Sequence, residues 1–193
     1  PINKRVYASF APKRHAFEYA RRQADKRGFG RGSNKIVQLV TDGDDDLAVY
    51  AKELFPEAIH TIDVMHVIEY LWTAGDCIHR EGSSELLSWV EAQKDRLYGG
   101  RVDQIVTGLA DALDRIPARG PGNSGRRRRL SKVLDYLVKR MDLMNYDELL
   151  QKDLVIATGV VEGAVKHVIA ARFDHGGMRW IRQRAEALLQ LRQ

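Results

Sequence analysis

Cysteine is almost missing from this chain. Cys77 stands alone among 193 residues, which excludes a disulfide framework and fits a reducing cytosol. Long apolar runs are missing as well: no stretch approaches the roughly 20 residues a membrane helix needs. No charged-then-apolar leader opens the sequence, so no secretion signal is expected. There is no Cys pair and no His-Glu-x-x-His, so His15, His60, His79, His167 and His175 offer no zinc spacing. Gly28, Gly30 and Gly32 are not followed by Lys-Ser/Thr in the register of a phosphate-cradling loop, and they read as a linker. Proline is scarce, and Pro12, Pro56 and Pro117 fall between periodic segments rather than inside them.

Apolar residues make up 44% of the chain, enough for one domain, with or without a large insertion. Charge is unevenly distributed. Residues 1–35 carry ten Lys/Arg against two acids, and residues 36–78 carry one Lys against nine acids. Basic surroundings with one acidic segment suit a polyanion partner and a cation-binding centre, although an ordinary solvated surface would look similar.

The acidic segment is the centre of organisation. The run "IVQLV" ends on Asp42-Gly43, and a second apolar run, 58–62, ends on Asp63. Between them, residues 44–55 read as a helix that opens on Asp44, Asp45 and Asp46, acids suited to capping free N–H groups. Upstream, Lys4–Phe10 alternates Val, Tyr and Phe and reads as a strand. Residues 13–27 read as a helix after Pro12. From Val64 onward apolar residues recur at i, i+3, i+4 and i+7, a helix face. Helical segments follow at about 84–98, 101–116, 126–141, 146–152, 160–173 and 178–192. The expected class is α/β: a βαβαβ part over 1–78, a helical insertion over 79–157, and C-terminal helices over 158–193. Such units imply parallel strands, with Asp42 and Asp63 at one sheet edge.

Converging carboxylates bind hard divalent cations, and a pair of such ions can activate a nucleophile at a phosphodiester. Asp42, Asp63, His66 and Glu162 are the candidates. Each also has a simpler reading: Asp42 as a turn former beside glycine, Asp63 as a helix N-cap, Glu162 as a dipole-favoured acid, and His66 as a packed or surface histidine. Arg126–Arg129 read either as a solvated charge run or as a phosphate grip. Trp72, Trp89 and Trp180 read as core or interface anchors.

The stretch "VTDGDDDLAVYAKELFPEAIHTIDVMHVIEYLW" resembles the central part of bacterial insertion-sequence transposases of the DDE class, the ISKra-type group. The resemblance rests on Asp-Gly after an apolar strand, Phe-Pro before the next strand, and Asp63-x-x-His66 opening a helix. This last motif is similar to a signature shared with Mutator-like transposases. The far end, "TGVVEGAVKHVIAARFDHGGMRW", is similar to the family's closing motif. Together they cover about residues 36–75 and 156–193. The resemblance implies an incomplete ribonuclease-H-like core with a large helical insertion, and Mg²⁺ or Mn²⁺ in a two-ion site only where the missing first Asp is supplied. It implies cleavage and strand transfer of transposon-end DNA by a homodimer or larger assembly, in the cytoplasm at the nucleoid. Asp42 and Glu162 correspond to the second and third catalytic acids and metal ligands, and Asp63 and His66 to a near-site pair. Lys166, His167, Arg172, Arg179 and Trp180 fall in the closing motif as DNA contacts, alongside Arg126, Arg127, Arg128 and Arg129. The family's first catalytic Asp has no counterpart here, because Glu18 and Asp25 lie on a basic helix. The resemblance therefore implies an N-terminally truncated catalytic domain, inactive as this chain. The alternative is a non-catalytic DNA-binding or interaction module derived from a transposase.

Overall fold

The two apolar runs that end on aspartates form the sheet. Strand β1 spans Gln38–Thr41 and strand β2 spans Ile59–Ile62. Among the described residues they pair with each other alone. The Ile59 N–H donates to the Val37 carbonyl at 2.9 Å and the Asp63 N–H to the Thr41 carbonyl at 2.7 Å, a parallel register kept from end to end. The computed structural model describes residues 6–30, 32–159, 181 and 185–187. Over these the chain is mixed α/β and mostly helical. It divides into two compact units. One comprises 1–39, 44–59 and 158–193, and the other comprises 40–43 and 60–157.

In the first unit, helix α1 (Lys13–Lys26) begins directly after Pro12. Helix α2 (Asp45–Leu54) is capped by Asp44, whose carboxylate accepts the Asp46 N–H at 3.0 Å. This is the role expected of acids crowded at a helix start. Helix α1 packs on α2 through Phe17, edge-on to Tyr50 at 5.7 Å and to Phe55 at 6.4 Å. Arg14 forks onto Glu53 with bonds of 2.8 and 2.5 Å, and Arg21 pairs with Asp25 and Glu57.

The expected strand over Lys4–Phe10 does not form: its described residues, 6–10, belong to no strand. The third strand of the βαβαβ reading is therefore absent among the described residues. The reason is local competition. Tyr7 stacks on Tyr19 of α1 at 4.2 Å, while the Ser9 hydroxyl and Phe10 N–H both donate to the Glu186 carboxylate at 2.7 Å. The Phe10 N–H, a group that a ladder would use, is taken by a side-chain carboxylate instead.

The second unit is built from helices that follow the apolar periodicity closely. They are α3 (Val64–Ile78), α4 (Ser84–Tyr98), α5 (Val102–Arg115), α6 (Asn123–Arg140) and α7 (Tyr146–Gln151), with a single 3₁₀ turn at Met141–Leu143. The two helices expected beyond residue 159 lie outside the described residues. Helix α3 is the central element and packs against α4 and α6. Leu71, Val90, Leu97, Ile105, Leu109, Leu130, Val133 and Leu137 are at most 1% exposed and form the core. Gly75 lets α4 approach α3, since a Cβ there would meet Leu86 Cδ1 at 2.5 Å and the Trp89 ring at 3.2 Å. No helix among the described residues is long and apolar enough to cross a membrane.

Leu71 is fully buried on α3. Leu71→Ala is expected to lower the unfolding free energy by about 2–5 kcal/mol through lost transfer and the cavity left behind. Urea denaturation measures this, and a loss under 1 kcal/mol would contradict the packing described.

Candidate functional site

Past the strand ends, residues 41–43 and 60–64 are held by side chains and backbone of the second unit to which they belong. Just past β1, the Asp42 carbonyl accepts the Tyr136 hydroxyl at 3.0 Å, and the Gly43 carbonyl accepts Arg140 Nε at 2.5 Å. At the end of β2, the Ile62 carbonyl accepts the buried Tyr146 hydroxyl at 3.0 Å. Thr61 donates to the Leu143 carbonyl at 2.9 Å, and the Val64 N–H donates to the Ile156 carbonyl at 2.9 Å. Thr41 Oγ1 lies 2.9 Å from His60 Nε2. Burial holds that imidazole below its usual value, so it is neutral near pH 7.

Asp42 and Asp63 thus stand at the carboxyl ends of adjacent parallel strands, as the sequence implies. Their environments differ. Asp42 is exposed. Asp63 is 2% exposed, and its carboxylate accepts the Met65 N–H at 2.8 Å as the N-cap of α3. The capping reading of Asp63 is therefore the one its hydrogen bond supports. His66 lies one turn into α3 and is half-buried, with Nδ1 3.1 Å from Glu69 Oε2. Asp42, Asp63 and Tyr70 all surround Tyr136. Burial first, then Tyr70, Asp42 and Asp63, push its phenol up to about 12, while the Arg140 charge pulls the other way. Tyr146 is pushed up as well, chiefly by burial and then by Tyr136 and Asp63.

A divalent cation needs several converging oxygen donors. Asp42 suits that chemistry: it is an exposed carboxylate at a strand end. Asp63 suits it less, because one carboxylate oxygen already serves a backbone N–H in a buried position. Among the described residues, no group of three or more His, Cys, Asp or Glu side chains gathers to hold a metal ion. Glu162, Lys166, His167, Arg172, Arg179 and Trp180 lie outside the described residues.

The Arg126–Arg129 run divides in two. Arg126 donates through two nitrogens to the Cys77 carbonyl at 2.8 and 2.6 Å. Arg127 donates to the carbonyls of Leu113, at 2.7 Å, and Ile116. Both guanidinia thus close the C-terminal ends of α3 and α5, where orphan carbonyls and the negative dipole end favour a cation. Arg128 and Arg129 are exposed. Tyr70, Tyr136, Arg140 and Tyr146 have no place in the sequence reading. The available signal was the i, i+4 spacing of Tyr136 and Arg140, which places a phenol and a guanidinium on one face of α6.

No protein-family model matches the chain, and no curated protein or solved structure resembles it significantly.

Tyr136 and Tyr146 make a pH test of this arrangement. Folding raises both phenols above the unfolded value of 10.0, so their stabilisation is complete below about pH 10 and is lost as pH rises towards 12. In an alkaline titration followed at 295 nm, these two of the seven tyrosines should ionise last and together with unfolding. Tyr136→Phe should remove one late-titrating group. Reversible ionisation of all seven near pH 10 in a folded chain would refute the buried phenols.

Proposed function

We propose that this chain is a catalytic-domain fragment of a DDE-class transposase of the ISKra-type group, whose full-length form cleaves and joins phosphodiester bonds at transposon-end DNA. One observation carries the reading. Asp42 is exposed at the carboxyl end of a parallel β-α-β unit, beside the strand that ends on Asp63, which is where open α/β sheets gather their ligands. The unit is followed by a helical insertion of the kind the resemblance implies. Its two parallel strands are compatible with part of a ribonuclease-H-like core. Bound Mg²⁺ or Mn²⁺ would neutralise charge developing on phosphate oxygens. Asp42 would hold the ion. Glu162 and the basic closing motif enter this reading from the sequence alone. Asp63 serves the site by fixing the start of α3, and His66 lies next to that start. Arg128 and Arg129 take the phosphate-contact role, while Arg126 and Arg127 hold helix ends together.

The alternative reading is a non-catalytic DNA-binding or interaction module derived from a transposase, in which the exposed Arg128 and Arg129 serve without a metal. Location of a metal separates the two. With Fe²⁺ in place of Mg²⁺, ascorbate and peroxide cut a polypeptide near the bound ion. Cleavage beside Asp42, abolished in Asp42→Asn, is the expected outcome for the catalytic fragment. Absence of any cut near residue 42 would leave only the module.

Both readings require DNA contact through charge. Duplex affinity measured by fluorescence anisotropy should fall at least about tenfold between 50 and 200 mM salt. Arg128→Ala should weaken binding equally for all sequences and flatten the salt slope by about one unit. Arg126→Ala should instead lower thermal stability, because it leaves the Cys77 carbonyl without its donor. A salt-independent affinity would remove DNA as the partner.

A further inference from the structure

A carboxylate at a strand end binds a cation well only if its backbone is held still, because the direction of the side chain is set by the φ and ψ beneath it. Asp42 lies at such a point. It follows the last residue of β1 and precedes Gly43, whose φ of +84° turns the chain sharply. A side chain at 43 would be strained by that φ. It would also collide with the Tyr136 hydroxyl and approach Arg140 Cδ to 3.3 Å. The glycine thus permits both the turn and the close approach of α6.

The two carbonyls of this turn are held by residues one helical turn apart. Tyr136 donates to the first and Arg140 to the second. The pair is braced on both sides. The Arg140 guanidinium lies over the Tyr136 ring, 4.2 Å from its centroid, and Arg140 Nη1 donates to the Tyr136 carbonyl at 3.3 Å. On its other side, Tyr136 stacks on Tyr70 of α3 at 3.9 Å, with planes 19° apart. The stack runs from α3 through Tyr136 to Arg140, so the turn is fixed against two helices of the same unit. The contrast with Tyr146 is informative. That hydroxyl serves the Ile62 carbonyl in a fully buried setting, where leaving a carbonyl unpaired would be costly. Asp42 itself is exposed, between the buried Thr41 and Gly43, so its side chain meets solvent from a backbone that is held inside. Holding both carbonyls of the turn on one rigid helix fixes the direction of the carboxylate.

We infer that Tyr136 and Arg140 are positioning residues for Asp42, through which the helical insertion sets the aim of the metal-holding carboxylate. The inference rests on the reading of Asp42 as a cation ligand. Neither residue touches the ion. Each acts through a main-chain carbonyl of the turn, one step further from the ion than the hydrogen bonds to ligating side chains whose loss lowers metal affinity about 10–100-fold.

The test is Mn²⁺ affinity of the purified chain, read from the free-Mn²⁺ electron paramagnetic resonance signal, with circular dichroism to report the fold. Asp42→Asn should abolish the site. Tyr136→Phe and Arg140→Gln should each weaken Mn²⁺ binding about tenfold while helical content stays unchanged. Arg140→Lys, which keeps a cationic donor, should recover part of the loss. It also serves as the milder variant if Arg140→Gln fails to fold. If Asp42→Asn abolishes binding but Tyr136→Phe and Arg140→Lys both bind as the wild type does, the positioning role is wrong and the metal reading stands. If Asp42→Asn leaves Mn²⁺ binding intact, the metal reading itself falls and the positioning role falls with it.

Discussion

The carbonyl groups at the carboxyl ends of the two strands are the constraint on which the rest of the structure depends. A parallel pair only four residues long on each side cannot satisfy its own ends. Here the donors come from far along the chain: Tyr136 to Asp42, Arg140 to Gly43 and Tyr146 to Ile62. Each is a side-chain donor on or beside the helical segment that follows the sheet. The helical segment is thereby more than an appendage, because without it the sheet edge that bears Asp42 would lose its hydrogen-bond partners. Removing any one donor leaves a carbonyl in need, at a cost of about 1–3 kcal/mol where the group is buried.

Charge, the plainest feature of the sequence, is partly neutralised inside the fold. Several cations of the basic leading segment meet acids of the segment that follows. Lys13 pairs with Asp44, Arg14 with Glu53, and Arg21 with Glu57. The first two pairs are largely exposed and add little stability individually, while Arg21–Glu57 is more covered. What they change is the meaning of the composition. A block of ten cations next to a block of nine acids can be a docking interface between two helices as well as a polyanion footprint. Here part of it is the former. The same holds for the Arg126–Arg129 run, half of which is committed to helix carbonyls.

What was legible in the sequence follows from the range of the interaction. Helix α4 lies at the residues its apolar spacing indicates, and β1 and β2 end on the aspartates that follow their apolar runs. Those signals are local. Lys4–Phe10 alternates as a strand does, but alternation says nothing about whether a partner is within reach. Tyr7 instead stacks on Tyr19. Asp63 was legible as a cap from its position before a helix. The hold on Asp42 was not, because a phenol 94 positions away along the chain leaves no mark near residue 42. The candidate site was therefore readable as a list of acids but not as an arrangement.

Asp42 and Asp63 show how the arrangement decides chemistry that residue type leaves open. Both are carboxylates at the ends of neighbouring parallel strands. Burying an ionised carboxylate is costly unless it is hydrogen-bonded. Asp63 meets that condition by capping α3, which gives it a stable position with one oxygen turned to the helix N-terminus. To ligate an ion there, it would have to give up the cap, worth about 1 kcal/mol, and the ion would have to shed water to follow it inside. Asp42 does not lie in such a buried position. It is exposed, its backbone is held by α6, and glycine beside it allows the turn that presents it. Two identical side chains at one sheet edge are thus set to different tasks by what their neighbours donate. Asp63 fixes the helix that carries Tyr70, Tyr70 supports Tyr136, and Tyr136 holds the turn of Asp42.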